Sequence, residues 1–185
     1  MPSPQRHSGR RSIRLPGRDY RQPAWLFVTI CAQGKACLFG RVVYGAMRLN
    51  AAGRMLRTEW ERLGARFESV EPREFVVMPN HVHGILAFRA WGAVGLGGVL
   101  AAFKSCTTVA YIRGVRAHGW GSFDRRLWQR NYWERVLRDE DEVMHARAYI
   151  ESNPAQWERD RLHPESDGWH ADGGRGEWWA PDPPV

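Results

Sequence analysis

Two apolar runs joined by a Pro-Asn pair constrain the fold of this chain more than any other feature. Phe75–Met78 precedes the pair and His81–Leu86 follows it, so the pattern predicts two short strands that meet at a bend. Side chains alternate along a strand, and His81 and His83 should therefore leave the second strand on the same face. Two neutral imidazoles on one face make half of a metal site. The alternative to a metal site is that one of the two histidines is a surface residue and the other serves only as a hydrogen-bond partner.

Length and composition limit the class of protein. The 185 residues suit one domain with tails, and a hydrophobic content of 43% is enough for a core. A formal net charge of +7 and a pI near 9.9 indicate a polyanionic partner such as nucleic acid or an anionic membrane surface. No apolar run is long enough to span a bilayer, and the first residues lack the apolar run of a signal peptide, so a cytoplasmic location without a membrane partner is expected. The three cysteines have no C-x-x-C spacing, which argues against a disulfide scaffold and a zinc knuckle.

Charge and composition divide the chain into three parts. Residues 1–22 carry six arginines and one aspartate and are predicted to be a basic arm that lies along phosphates, or else a solvated terminus without a partner. Residues 23–157 are predicted to be the folded domain. Residues 158–185 are rich in Gly, Pro and Asp and are expected to be a poorly ordered tail.

The patterned middle of the chain alternates between strands and helices. The first half is predicted to contain a strand at 25–31, a linker with Gly34 and Gly40, and a helix capped by Asn50. Strands at 67–78 and 81–88, a helix at 99–113 and a strand at 132–137 are predicted to follow. A last helix is predicted to begin after Asp139 and to end at the Asn153-Pro154 pair. In the second helix Val99, Phe103, Cys106 and Ala110 should be buried, with Lys104, Thr107 and Arg113 outside. The order predicts a ferredoxin-like β-α-β-β-α-β sandwich, an α+β fold with an antiparallel sheet and an additional C-terminal helix.

The last predicted helix has a polar stripe of Glu142, His145, Tyr149 and Asn153. If this stripe faces the two histidines, the Asn153 side-chain oxygen could be a third metal ligand and Tyr149 could reach a phosphate held at the metal. Otherwise Tyr149 is an interfacial aromatic with its hydroxyl in water, the commoner position for a helical tyrosine.

The chain resembles the REP-associated tyrosine transposases, which are bacterial HUH single-tyrosine enzymes related to the small insertion-sequence transposases. The resemblance extends over residues 11–160 and depends on motifs that occur in the family's order: Arg11–Gly17, Phe27–Cys31, Cys37–Gly40, Val77–Gly84, Phe103–Ser105, Trp128–Tyr132 and Tyr149–Pro154.

The resemblance implies a sequence-selective endonuclease and strand transferase. Such enzymes cut and rejoin single-stranded DNA at hairpin-containing repeats through a 5′-phosphotyrosine, with a divalent metal, Mg²⁺ or Mn²⁺. Matched by motif, His81 and His83 would bind the metal with Asn153 as third ligand, and Tyr149 would be the nucleophile. Relatives include swapped dimers, so a monomer and a homodimer both remain open.

Contacts with single-stranded or hairpin DNA are expected from basic residues in or beside the motifs. These residues are Arg11, Arg14, Lys104, Arg130 and Arg138.

Three alternatives remain. Tyr132 is a rival nucleophile, although it is predicted on a strand without an amide one helical turn away. A cupin or another metal hydrolase could use the His-x-His pair, but a cupin needs a glutamate soon afterwards and position 87 is alanine. A non-mobile DNA-binding protein with the same fold could regulate or maintain repeat elements without cutting them.

Overall fold

The fold is known from a computed structural model that describes residues 19–166. In chain order its elements are β1 (Ala24–Cys31), β2 (Gly40–Val43), β3 (Ala46–Leu49), α1 (Ala51–Glu61), α2 (Leu63–Arg66), β4 (Val70–Val77), β5 (His81–Phe88), α3 (Leu96–His118), β6 (Trp133–Leu137) and α4 (Glu140–Ser152). Short 3₁₀ helices cover Gln33–Lys35 and Asn153–Arg159. Arg11, Arg14, most of the predicted arm and the tail after Ser166 lie outside the described residues.

Four of the strands form an antiparallel sheet in the order β4-β5-β1-β6. Helices α1 and α3 pack on one face of this sheet, whereas α4 lies across the other face. Both long connections between strands pass over the first face, and the order is that of a ferredoxin-like sandwich. The predicted fold class, with its additional C-terminal helix, is confirmed.

Strand β5 lies inside the sheet and is buried along its whole length. Its alternation sends Val82 and Leu86 into the core beneath α1 and α3, and sends Ile85 into the smaller core beneath α4. Gly84 lets the Trp60 ring lie against the strand, because a Cβ at this position would be 2.4 Å from a Trp60 ring carbon. The histidine strand is therefore held rigidly from both faces.

Two helix starts follow the capping pattern predicted from the sequence. The Asn50 side chain accepts a hydrogen bond from the Gly53 amide at the start of α1. Asp139 accepts one from the Glu142 amide at the start of α4. Each cap satisfies an amide that has no partner within its own helix.

The structure corrects three details of the sequence prediction. The predicted linker after β1 contains the β2–β3 hairpin. Helix α3 is longer than predicted, and Thr107 is buried because its hydroxyl accepts a hydrogen bond from the Trp128 indole. Helix α4 ends at Ser152, as the Asn153-Pro154 pair predicts, but Asn153 itself keeps a helical backbone, since the chain continues into a 3₁₀ helix whose first turn needs no amide donor from Pro154.

The predicted tail begins in a folded segment. Residues 158 and 159 complete the last 3₁₀ helix, Leu162 is buried, and its carbonyl accepts a hydrogen bond from the Asn80 side chain. The folded region therefore extends beyond residue 157 to at least Leu162, and the predicted tail after Ser166 lies outside the described residues.

Among residues 19–166, no helix has both the length and the apolar character needed to cross a membrane.

Candidate active site

His81 and His83 leave β5 on the face covered by α4, as their spacing predicts. Both side chains are completely buried. Their Nε2 atoms lie 3.0 Å apart, and the ring centroids lie 4.6 Å apart at an interplanar angle of 71°. Two ring nitrogens thus converge on one point under the last helix.

Each ring is oriented by a hydrogen bond at its other nitrogen. His81 Nδ1 lies 2.8 Å from Asn80 Oδ1, and His83 Nδ1 lies 2.7 Å from Thr29 Oγ1. The Asn80 amide nitrogen donates to the carbonyls of Lys35 and Leu162, which fixes its oxygen as the acceptor for His81. His81 Nδ1 is then protonated and its Nε2 carries a lone pair. The Thr29 hydroxyl accepts a hydrogen bond equally well, so His83 can present the same tautomer.

Burial keeps both rings neutral. Burial and the neighbouring His83 lower the pKa of His81 well below its usual range, and burial lowers the pKa of His83 to about 3. Neutral imidazoles are the form that binds metal ions.

Asp160 approaches the histidine pair from the segment that follows α4. Its Oδ2 lies 3.6 Å from His81 Nε2, while the Leu162 amide donates to its Oδ1 at 2.7 Å. Burial raises the pKa of the carboxyl above its ordinary value, whereas the Leu162 amide and the Asn153 side chain lower it. His81, His83 and Asp160 can each offer one ligand atom, and these atoms lie within 4.8 Å of one another.

Tyr149 projects from α4 toward the same point. Its hydroxyl lies 3.5 Å from His83 Nε2, and its ring packs edge-on against His83 and Phe27 with centroid distances of 5.2 and 5.9 Å. Burial and the nearby Asp160 raise the pKa of the phenol, whereas Asn153 and Arg161 lower it. The phenol is consequently protonated at neutral pH in this environment.

Helix α4 holds Tyr149 in place through its apolar side and its first turn. Val143, Ala146 and Ile150 pack with Phe27 and Ile85 of the sheet. Near the start of the helix, the Glu142 carboxylate accepts hydrogen bonds from the Arg135 side chain and the Arg138 amide. The first turn of α4 is thereby bound to β6, and its apolar side packs on β1 and β5.

Asn153 is buried one helical turn beyond Tyr149, at the junction of α4 and the 3₁₀ helix. Within residues 19–166, Asn153 Oδ1 and Asp160 Oδ2 are both buried and have no hydrogen-bond partner. A buried oxygen without a donor is costly, and it is explained when a cation binds there.

The donor set fits a divalent cation. Two ligands of one ion lie at most about 4–5 Å apart, which agrees with the spacing of the candidate ligand atoms. Imidazole nitrogen with carboxylate oxygen suits Mn²⁺ better than Mg²⁺, because imidazole favours the softer ion.

The predicted DNA-binding residues have different surroundings. Arg130 and Arg138 are exposed on either side of β6. Lys104 is half-buried, and its ammonium donates to the carbonyls of Gln129, Arg130 and Asn131. Burial lowers the pKa of Lys104 to about 8. These contacts favour a structural role for Lys104 over direct contact with phosphate.

Tyr132, the rival nucleophile, belongs to the opposite side of the sheet. It packs against the core beneath α1 and α3, and the Lys104 ammonium lies 5.5 Å from its ring centroid. Tyr149, by contrast, lies against His83 on the face that α4 covers.

Sequence reasoning did not find Thr29, Asn80 or Asp160. Thr29 could have been found from strand register, because it pairs directly with His83 across β1 and β5. Asn80 was assigned only to the bend. Asp160 carries no local signal, since its proximity to His81 arises from the path of the chain after α4.

A comparison with models of known protein families found no match. An uncharacterised protein of Haemophilus influenzae is 38% identical over 168 residues, which cover 83% of this chain and 93% of that protein. Among solved structures, a REP-associated tyrosine transposase bound to a REP hairpin superposes with a TM-score of 0.53. The match covers 88% of this chain and 96% of the transposase, at 18% identity.

The structural comparison defines the class of protein by its fold. The chain has the fold of the REP-associated tyrosine transposases, as its motifs predicted. More particularly, it belongs to one family with the Haemophilus influenzae protein.

Proposed function

We propose that this protein is a single-stranded DNA endonuclease and strand transferase, a transposase that acts at hairpin-containing repeats. The observation that carries the proposal is the position of the Tyr149 hydroxyl, 3.5 Å from a buried histidine pair to which Asp160 adds a carboxylate. The fold shared with a transposase that was solved on a hairpin supports a DNA substrate of this kind.

In this proposal Tyr149 is the nucleophile. Its Oη attacks the scissile phosphorus, the bond from phosphorus to the 3′ oxygen breaks, and the products are a 5′-phosphotyrosine and a free 3′-OH. One phosphodiester replaces another, so a second 3′-OH can reverse the step on a new strand without ATP. The Phe27 ring, packed against both His83 and Tyr149, keeps the phenol aimed at the histidine pair.

His81, His83 and Asp160 would hold a divalent cation, with the Asn153 side-chain oxygen as a further ligand. When bound, Mn²⁺ or Mg²⁺ would supply positive charge for the phosphate oxygens and for the developing phenolate. Asn80 and Thr29 orient the two rings for this task through their Nδ1 atoms.

The basic surface would hold the DNA. Arg130 and Arg138 are exposed beside β6, and Arg11 and Arg14 of the N-terminal arm would add phosphate contacts. The arm at 1–22 would thus add to the phosphate contacts of the domain from residue 23 onward, and the domain would also carry the chemistry.

The test uses end-labelled hairpin DNA from repeats beside the gene, with Mn²⁺ or EDTA, and denaturing gels that resolve a covalent protein–DNA adduct. An adduct that forms only with the metal supports the proposal. Tight hairpin binding without any adduct would contradict it and would favour the alternative of a non-mobile DNA-binding protein that regulates or maintains repeats.

A further inference from the structure

Basic and acidic residues are unevenly distributed along the chain. Although the protein has 20 acidic residues, none occurs between positions 20 and 58. The same stretch carries six basic residues: Arg21, Lys35, Arg41, Arg48, Arg54 and Arg57. The last four are exposed and lie on or directly after the β2–β3 hairpin, so this part of the surface attracts anions.

The hairpin places two of these charges directly opposite each other. Arg41 on β2 pairs with Arg48 on β3, and both side chains are exposed. Neither guanidinium has an ion-pair partner among residues 19–166. Like charges across a strand pair are destabilising, which makes this arrangement costly for the protein alone. An anion bound between them would remove the cost.

The tip of the hairpin carries an aromatic side chain that is fully exposed in the described part of the chain. Tyr44 is 102% exposed, and Tyr44 and Gly45 form a two-residue turn with φ angles of 51° and 70°. Positive φ at both positions defines the turn type that favours Asn-Gly, and a bulky residue at the first position is strained. Folding alone gives no reason for tyrosine here.

The tip also lies close to the 3₁₀ helix that follows α4. A methyl group built on Gly45 would be 3.5 Å from the Cα of Ala155, which follows Tyr149 by six residues. A rise of 1.5–2.0 Å per residue puts the tip about 9–12 Å beyond Tyr149 along the chain. Three nucleotides of a stacked strand cover about the same distance.

We infer that the β2–β3 hairpin binds the single strand next to the scissile phosphate, with Tyr44 stacked on an unpaired base and Arg41 and Arg48 on phosphates. The inference rests on the proposed function, whose DNA substrate it specifies. Stacking on an aromatic side chain tolerates any base, whereas the paired guanidinium groups follow the backbone.

The test measures the affinity of labelled dT12 for the full chain in EDTA, by fluorescence anisotropy over a range of salt concentrations. The variants are Tyr44→Asn, which suits the turn but cannot stack, Tyr44→Phe, which can stack, and the double variant Arg41→Gln/Arg48→Gln. The exposed Trp91→Ala and the double variant Arg113→Gln/Arg116→Gln are the matched controls.

The inference predicts that Tyr44→Asn weakens dT12 binding at least about fivefold. Its thermal midpoint should equal or exceed that of the wild type, because the strain of the turn is relieved. Tyr44→Phe should bind within about twofold of the wild type. The double arginine variant should reduce the salt dependence of log K by about 1.4, the contribution of two single-strand phosphates. The controls should behave like the wild type.

Wild-type affinity in both Tyr44→Asn and the double arginine variant would overturn the inference, even if the metal-dependent adduct forms. Equal losses in the matched controls would also overturn it, since binding would then be a property of the whole basic surface. Absence of the adduct in the wild type would instead contradict the proposed chemistry, and the dT12 measurements would still decide the role of the hairpin.

Discussion

His81 and His83 bring their Nε2 atoms within 3.0 Å of each other, while a different side chain holds the opposite nitrogen of each ring. Thr29 holds His83 and Asn80 holds His81. The pair is therefore preorganised by residues that do not touch the converging nitrogens, and these supporting residues can be altered without removing a ligand.

Replacing Thr29 by valine removes the hydrogen bond to His83 Nδ1 but keeps the size of the buried side chain. Loss of such a supporting bond typically costs 10–100-fold in metal affinity, and we expect a loss of about that size for Mn²⁺. Titration followed by electron paramagnetic resonance measures it. Thr108→Val, which removes a hydroxyl bonded only to a helix carbonyl, is the control. Equal Mn²⁺ affinities for both variants would exclude the supporting role.

Replacing Asp160 by asparagine tests whether Asp160 is a metal ligand or only a structural residue. We expect Mn²⁺ affinity to fall at least about tenfold, because the site loses its only negative charge among the proposed ligands. The metal-free protein should keep its thermal midpoint, since Asp160 Oδ2 is buried without a hydrogen-bond partner in the described region. Glu158→Gln, an exposed change in the same segment, is the control. Unchanged Mn²⁺ affinity would remove Asp160 from the ligand set.

Glu142 contributes stability that depends on pH. Hydrogen bonds from the Arg138 amide and the Arg135 side chain lower the pKa of its carboxyl from its ordinary value. A lowered pKa stabilises the fold above the unfolded value, and this contribution is lost as the pH falls through the folded value. Glu142→Gln should therefore reduce the free energy of unfolding by about 0.5–1 kcal/mol at pH 7.

The difference between wild type and Glu142→Gln should shrink as the pH falls below 7 and passes through the lowered pKa of the folded state. Urea unfolding at several pH values measures it, and Glu140→Gln in the same helical turn is the matched control. A difference that persists undiminished at low pH would show that the carboxylate charge is not its origin.

Lys104→Ala distinguishes a structural lysine from a DNA contact. The substitution leaves three backbone carbonyls without their charged donor, and we expect the free energy of unfolding to fall by about 2–3 kcal/mol. Arg130→Ala on the neighbouring exposed position should change it by less than about 0.5 kcal/mol. Full stability of Lys104→Ala with a weaker salt dependence of DNA binding would restore the original prediction of a phosphate contact.

The sequence was sufficient for features that arise within one element or between neighbouring elements. The alternation of β5 placed His81 and His83 on one face, and the caps at Asn50 and Asp139 located two helix starts. Helical spacing placed Tyr149 and Asn153 on one side of α4. In each case the relevant geometry repeats every two or every 3.6 residues, so a single chain reveals it.

The remaining features depend on contacts between distant parts of the chain. Asp160 lies beside His81 in a segment that is held against the bend by the hydrogen bond from Asn80 to the Leu162 carbonyl. Thr107 looked like a surface residue of an amphipathic helix, but Trp128 covers it. The β2–β3 hairpin escaped prediction because its strands have four residues each, too few for a clear alternation.

The most direct test of the account is to identify the residue that carries the DNA. The metal-dependent adduct is digested with nuclease and trypsin, and mass spectrometry locates the nucleotide. Cleavage at arginines separates the candidates, because Tyr149 falls in the peptide 148–159 and Tyr132 in the peptide 131–135. The account predicts the nucleotide on the 148–159 peptide and no adduct from Tyr149→Phe. A nucleotide on the 131–135 peptide, or an undiminished adduct from Tyr149→Phe, would contradict it.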